Sequence, residues 1–156
     1  MGFPLPERSP CPFCEYVAKG VTSKGLRVAI VSERALTLGF VDPRPMQPGH
    51  LLVIPKRHAP TLIDLEREEA HELIEHAREL SCALVDVLAP EGLNAFQNNG
   101  VVAGQSVPHY HLHLVPRRAG DGHVFGSELS RALMPEADRF AMAARIRAAL
   151  DARGLG

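Results

Sequence analysis

Apolar residues along this chain recur with two periods, and the switch between them marks out its elements. Residues 26–32 (LRVAIVS) and 35–41 (ALTLGFV) carry the β-branched, period-two character of strands, with a tight turn at Glu33-Arg34. Residues 42–49 are a proline-punctuated loop, and 50–55 (HLLVIP) form a third strand, apolar enough to be central. Within 61–88 the period lengthens: Leu73, Ala77, Leu80, Leu84 and Leu88 fall at three- and four-residue spacings, predicting a long amphipathic helix. Asp64 is its expected N-cap, Glu66, Glu68 and Glu69 suit its first turn, and Pro90-Glu91-Gly92 ends it. A fourth strand is expected at 93–97, a glycine-containing loop at 98–107, a fifth strand at 109–115 and an alanine-rich helix at 135–153. Prolines at 4, 6, 10 and 12 suggest an irregular arm over residues 1–12. The resulting expectation is an α+β fold, a five-stranded, mainly antiparallel sheet with a long helix and a C-terminal helix.

Composition narrows the class. At 156 residues the chain reads as one domain over 1–156, with a core at about 11–120 and a helical extension at about 130–153. Hydrophobic residues at 46% and charged residues at 22% are ordinary for a globular protein, and a net charge of −1 provides no field that would draw in a nucleic acid polymer. No apolar run approaches a membrane span, and the start lacks the basic and apolar regions of a signal peptide. Three cysteines, an odd number, argue against a secreted disulfide scaffold. The expected location is the cytoplasm.

The fifth strand holds the candidate chemistry. Side chains alternate along a strand, so His109, His111 and His113 share one face while Tyr110, Leu112 and Leu114 point into a core. A row of three imidazoles is costly to bury without partners. It could bind a metal, decorate an edge strand, or place a neutral nucleophile against phosphorus. The loop before it favours the last reading. Asn98, Asn99, Gly100, Gly104, Gln105 and Ser106 supply amide, hydroxyl and backbone donors without net charge, which suits phosphate oxygens. Near the N-terminus, Cys11-Pro12-Phe13-Cys14 is either a redox dithiol or half of a zinc site that needs two further ligands.

His109-Tyr110-His111-Leu112-His113-Leu114-Val115 resembles the signature of the histidine triad superfamily, histidines alternating with apolar residues. Phe40-Val41-Asp42, the run from Pro48 to Lys56 and the loop from Asn98 to Ser106 are similar to the family's segments, in the family's order, over roughly residues 11–120. The resemblance implies a nucleotide hydrolase that acts at the α-phosphate of AMP or GMP conjugates, such as phosphoramidates or dinucleoside polyphosphates. In it His111 is the nucleophile, passing through a nucleotidyl-histidine. His113, Gln105 and Ser106 assist catalysis, and Asn98, Gly104, Gln105, Ser106, His111 and His113 hold the phosphate. Asp42 binds the ribose hydroxyls and Phe40 lies in the base pocket. The resemblance further implies a structural zinc ion on Cys11, Cys14, His50 and His109, and a homodimer. Alternatives are a nucleotidyltransferase and a zinc-stapled binding protein with little turnover.

Other polar residues receive quieter readings. Lys56, Arg57 and His58 are expected to be solvated strand-end charges, His71 and His76 surface residues on the long helix, and Cys82 a small buried residue. The 117–122 segment reads equally well as a polyphosphate contact or a surface turn, and His123 carries no assignable role. The chain has no tryptophan, whereas the Hint branch of the family often ends with one near its substrate.

Overall fold

In the computed structural model, which describes residues 2–122 and 131–155, five strands form one antiparallel sheet between two unequal helical layers. His123 and residue 130 lie outside the described residues. Chain order is α1 (Pro12–Lys19), β1 (Ile30–Glu33), β2 (Thr37–Val41), β3 (Leu51–Pro55), α2 (Arg67–Leu88), β4 (Gly92–Phe96), β5 (Leu112–Arg117) and α3 (Glu136–Ala152). Across the sheet the order is β1-β2-β3-β5-β4, every neighbouring pair antiparallel. The expected α+β architecture is therefore the observed one.

The sheet's two faces are covered by different parts of the chain. On one, Val53 pairs with Leu112 and Leu51 with Leu114, and these side chains pack with Tyr110 against Leu73, Leu80 and Leu84 of α2 and Ile146 and Leu150 of α3. On the other, Leu38, Phe40, Leu52 and Ile54 pack against Phe13 and Tyr16 of α1. Strands β2 and β3 are buried at every position because both faces are covered.

Residues 2–11 run without helix or strand, as expected of the proline-rich arm, and α1, which follows directly, is an element that the local pattern did not predict. Pro12 stands at the first helical position, where its missing N–H costs nothing, and Gly20, at φ 71°, closes the helix by donating its N–H to the Tyr16 carbonyl at 2.9 Å. Phe13 and Tyr16, one turn apart, supply the buried face. Helix α2 also starts later than Asp64. Asp64 belongs to a short 3₁₀ turn, Leu62–Asp64, while Glu66 caps α2 reciprocally with Glu69.

The β5 ladder begins only at Leu112. Before it, the His109 N–H donates to the Val107 carbonyl and the Tyr110 N–H to the Ala59 carbonyl, so this stretch is extended but bonded outside the sheet. Alternation nevertheless holds. Tyr110, Leu112 and Leu114 join the α2/α3 core, and His109 and His111 face α1, with their rings 5.8 and 5.4 Å from that of Phe13.

Candidate functional site

All three triad histidines are buried, and each is held differently. His111 Nδ1 lies 2.7 Å from the His109 carbonyl oxygen, which can only accept, so Nδ1 carries the proton and Nε2 keeps its lone pair. Burial pushes the pKa of His111 below the usual histidine value, so the ring is neutral at pH 7. A neutral imidazole with a fixed tautomer on a cavity wall is a competent nucleophile.

His113 is oriented by His50. The Met46 N–H donates to His50 Nδ1 at 3.0 Å, which places the His50 proton on Nε2, 2.9 Å from His113 Nδ1. His113 thus accepts at Nδ1 and carries its own proton on Nε2. Its ring stacks on Phe96 at 4.6 Å between centroids, and burial together with nearby positive charge disfavours its protonation.

The cavity these residues line has a volume of about 650 Å³, within the range of small-molecule sites. Asp42, Ser106, His111 and His113 stand on its wall, as do Phe13 and Tyr16. Asp42 Oδ1 accepts the Arg44 N–H at 2.8 Å and Oδ2 pairs with Arg131 at 3.3 Å. Burial raises the Asp42 pKa, and the positive charge of Arg131 opposes the rise.

Four other sequence candidates, Phe40, Asn98, Gly104 and Gln105, do not line this cavity. Phe40 is fully buried and packs edge-on against Phe13 and Tyr16 at 5.6 and 5.4 Å, supporting the two rings that reach the cavity. Gln105 braces its own loop: Oε1 accepts the Gly100 N–H at 2.6 Å, and Nε2 donates to the carbonyls of Pro60 and Val107. Asn98 Nδ2 reaches the carbonyl of Gly104 at 3.4 Å, and Gly104, at φ 86°, turns the loop. Phe13, Tyr16 and Arg131 are site residues that sequence reasoning missed. The spacing of Phe13 and Tyr16 after Pro12 was the available signal for the first two.

The cysteine cluster differs from expectation in one ligand. Cys11, Cys14, His58 and His109 bring their donor atoms within 4.8 Å of one another, whereas His50 belongs with Asp42 and His113. The physical reason is register. His50 immediately precedes β3 and meets Asp42 and His113, while His58, three residues past the end of β3, folds back over α1. His58 is thus a potential ligand rather than a solvated strand-end charge. Arg57 likewise has partners, donating to both carboxylate oxygens of Glu69.

The donor set fits zinc. Cys14 Sγ lies 3.2 Å from His58 Nδ1 and 3.5 Å from His109 Nδ1, and Cys11 Sγ lies 3.6 Å from His109 Nδ1. Those separations match the edges, roughly 3.5 Å, of a tetrahedron with metal–ligand bonds of about 2.0–2.3 Å. His109 Nε2–H donates to the Pro55 carbonyl at 2.8 Å, leaving Nδ1 free to ligate, an arrangement usual for metal-bound histidine. Burial lowers the His109 pKa to about 4, so the ring is neutral as a ligand must be. Burial and the neighbouring Cys11 raise the Cys14 thiol to about 11, a thiolate cost that a bound cation would offset.

His76 corrects a smaller expectation. It is buried, with Nδ1 2.9 Å from Thr37 Oγ1, because α2 turns it onto β2 where Gly39 leaves room.

The HIT domain family profile matches residues 25–120. Among curated relatives, adenosine 5'-monophosphoramidase hnt1 of Schizosaccharomyces pombe is 36% identical over 107 residues, covering 69% of this chain and 74% of that protein. The asymmetrical bis(5'-nucleosyl)-tetraphosphatase of the same organism is 40% identical over 86 residues, 55% of this chain and 47% of that one. A crystal structure of a zinc-bound histidine triad family protein from Mycobacterium smegmatis superposes with a TM-score of 0.77 at 33% identity, covering 93% of this chain and 96% of that chain. The chain belongs to the HIT domain family.

Proposed function

We propose that this chain is a nucleotide hydrolase that releases a nucleoside monophosphate, with adenine the favoured base, from a phosphoramidate or a dinucleoside polyphosphate. The observation that carries the reading is the His109 carbonyl fixing His111 as the Nδ1–H tautomer, with a neutral ring on the cavity wall. Similarity to a phosphoramidase and to a tetraphosphatase supports the substrate class.

In the proposed reaction His111 Nε2 forms a bond to the α-phosphorus as the bond to the leaving group breaks, and the leaving group takes up a proton from solvent. Water then attacks the same phosphorus, the P–N bond breaks, the water's proton returns to solvent, and the free imidazole and a nucleoside monophosphate result. Splitting one displacement into two lowers each barrier. The Ser106 hydroxyl and His113 Nε2–H are the neutral donors for phosphate oxygens on this wall. Asp42 is assigned to the ribose hydroxyls. Asn98, Gly104 and Gln105 hold the loop that carries Ser106, and Phe40 backs the base wall of Phe13 and Tyr16.

Cys11, Cys14, His58 and His109 would hold zinc, which supplies a structural cross-link. Those residues tie α1, the segment after β3 and the residue two before the nucleophile, so the site stiffens the histidine segment. Reduced thiol ligands suit the cytoplasm. Among the described residues no helix is long and apolar enough to cross a membrane. A homodimer is proposed on the family resemblance.

The test is AMP release from adenosine phosphoramidate and from diadenosine polyphosphates by wild type and His111→Ala. Turnover by wild type alone supports the reading. Equal turnover by both proteins moves the nucleophile elsewhere, and AMP binding without turnover favours the binding-protein alternative.

A further inference from the structure

The segment leading into α3 carries a cation to the cavity from beyond residues 25–120, which match the family. Its backbone is anchored to the loop after β2: Arg44 Nη1 donates to the Arg131 carbonyl at 3.0 Å, and the Met134 N–H donates to the Pro43 carbonyl at 2.9 Å. The Arg131 side chain, 27% exposed, lines the same wall as Ser106, His111 and His113. The cavity's other cations, Arg8, Lys24 and Arg44, are more open to solvent.

The charges on this wall are unbalanced for the proposed substrate. Ser106 contributes an uncharged hydroxyl to it, while Asp42 presents a buried carboxylate. A phosphate entering beside Asp42 would meet repulsion and lose hydration without a counter-charge. Arg131 is already there, engaging Asp42 Oδ2 at 3.3 Å. That contact leaves most of the guanidinium's five N–H donors for a second anion, in the fork geometry that suits phosphate oxygens.

We propose that Arg131 is a substrate-binding residue that takes the oxygens of the phosphate attacked by His111, bridging that phosphate to Asp42. The assignment rests on the nucleotide reading above and adds a contact from outside the matched domain. Arg131 would then contribute to binding of the phosphate and leave the nucleoside moiety unaffected.

The experiment is calorimetric titration of wild type, Arg131→Met and Arg131→Lys with AMP and with adenosine, melting temperatures being compared first. Loss of a charge-assisted contact is expected to weaken AMP binding about ten- to a hundredfold in Arg131→Met, with adenosine within about twofold of wild type. Arg131→Lys, which keeps the charge without the fork, falls between. If Arg131→Met fails to fold, AMP-selective weakening in Arg131→Lys supports the proposal in its place. Equal weakening of AMP and adenosine overturns the proposal, because Arg131 would then act through Asp42 on the ribose. Unchanged AMP binding overturns the Arg131 assignment alone. Wild type that binds neither compound overturns it together with the nucleotide reading.

Discussion

A single backbone carbonyl decides which nitrogen of His111 can react. Because the His109 oxygen holds the Nδ1 proton, only Nε2 is available, and replacing the ring removes the proposed nucleophile without opening the core on the α2/α3 face. His111→Ala is expected to lose about three orders of magnitude or more in AMP release while still binding AMP, measured by turnover and calorimetry on the same preparation. The ring's pKa, lowered by burial, also sets a direction for pH dependence. Protonation would quench Nε2, so activity is lost as pH falls through that lowered value. The acid limb of kcat/KM should therefore lie below the ordinary histidine value of about 6.5. A limb at or above 6.5 would contradict the neutral, desolvated ring.

Between elements, the contact of α2 with β2 is closely packed. A Cβ on Gly39 would stand 2.7 Å from Leu80 Cδ1 and 3.2 Å from His76 Nε2, both buried side chains with little room to retreat. Gly39→Ala should cost about 1–3 kcal/mol by thermal or urea denaturation, the range for overpacking a close-packed interior. His76 in that contact has its pKa lowered to about 4 by burial, so the folded state resists a proton that the unfolded chain accepts near 6.5. Its stabilisation is full above pH about 6.5 and is lost as pH falls toward about 4, by up to about 3 kcal/mol. Comparing wild type with His76→Gln across that window should show the difference in stability shrinking as the pH drops.

At the scale of the whole molecule, the cysteine–histidine cluster joins parts of the chain that are distant in sequence. His58 is 44 residues from Cys14, and His109 is 98 from Cys11. A metal there would restrain a large loop in the unfolded chain and brace the catalytic segment in the folded one. Chelation is expected to lower the melting temperature, and His58→Ala to lose zinc by elemental analysis. His50→Ala should retain zinc and lose activity through the misoriented His113. Zinc lost from His50→Ala but kept by His58→Ala would reverse the ligand assignment.

Much of this architecture was legible from periodicity. Alternating apolar residues specify strands and three- and four-residue spacing specifies α2, because each element must bury one side, while alanine content marks α3. The histidine row was legible too, since alternation alone puts His109, His111 and His113 on one face. Three features lay beyond local pattern. The short helix α1 is stabilised by packing Phe13 and Tyr16 on the sheet, and eight residues are too few to show a periodicity of their own. The choice of His58 over His50 depends on which way the chain turns after β3, a matter of eight residues in sequence and of opposite ends of the strand in space. Arg131 reaches the cavity only because α3 docks against β1 and α2, bringing its leading segment beside Asp42. Local sequence determined the elements and the face that carries the chemistry. Long-range packing decided which distant side chains complete the two sites, because nothing in the spacing of residues along a chain encodes where separate elements meet.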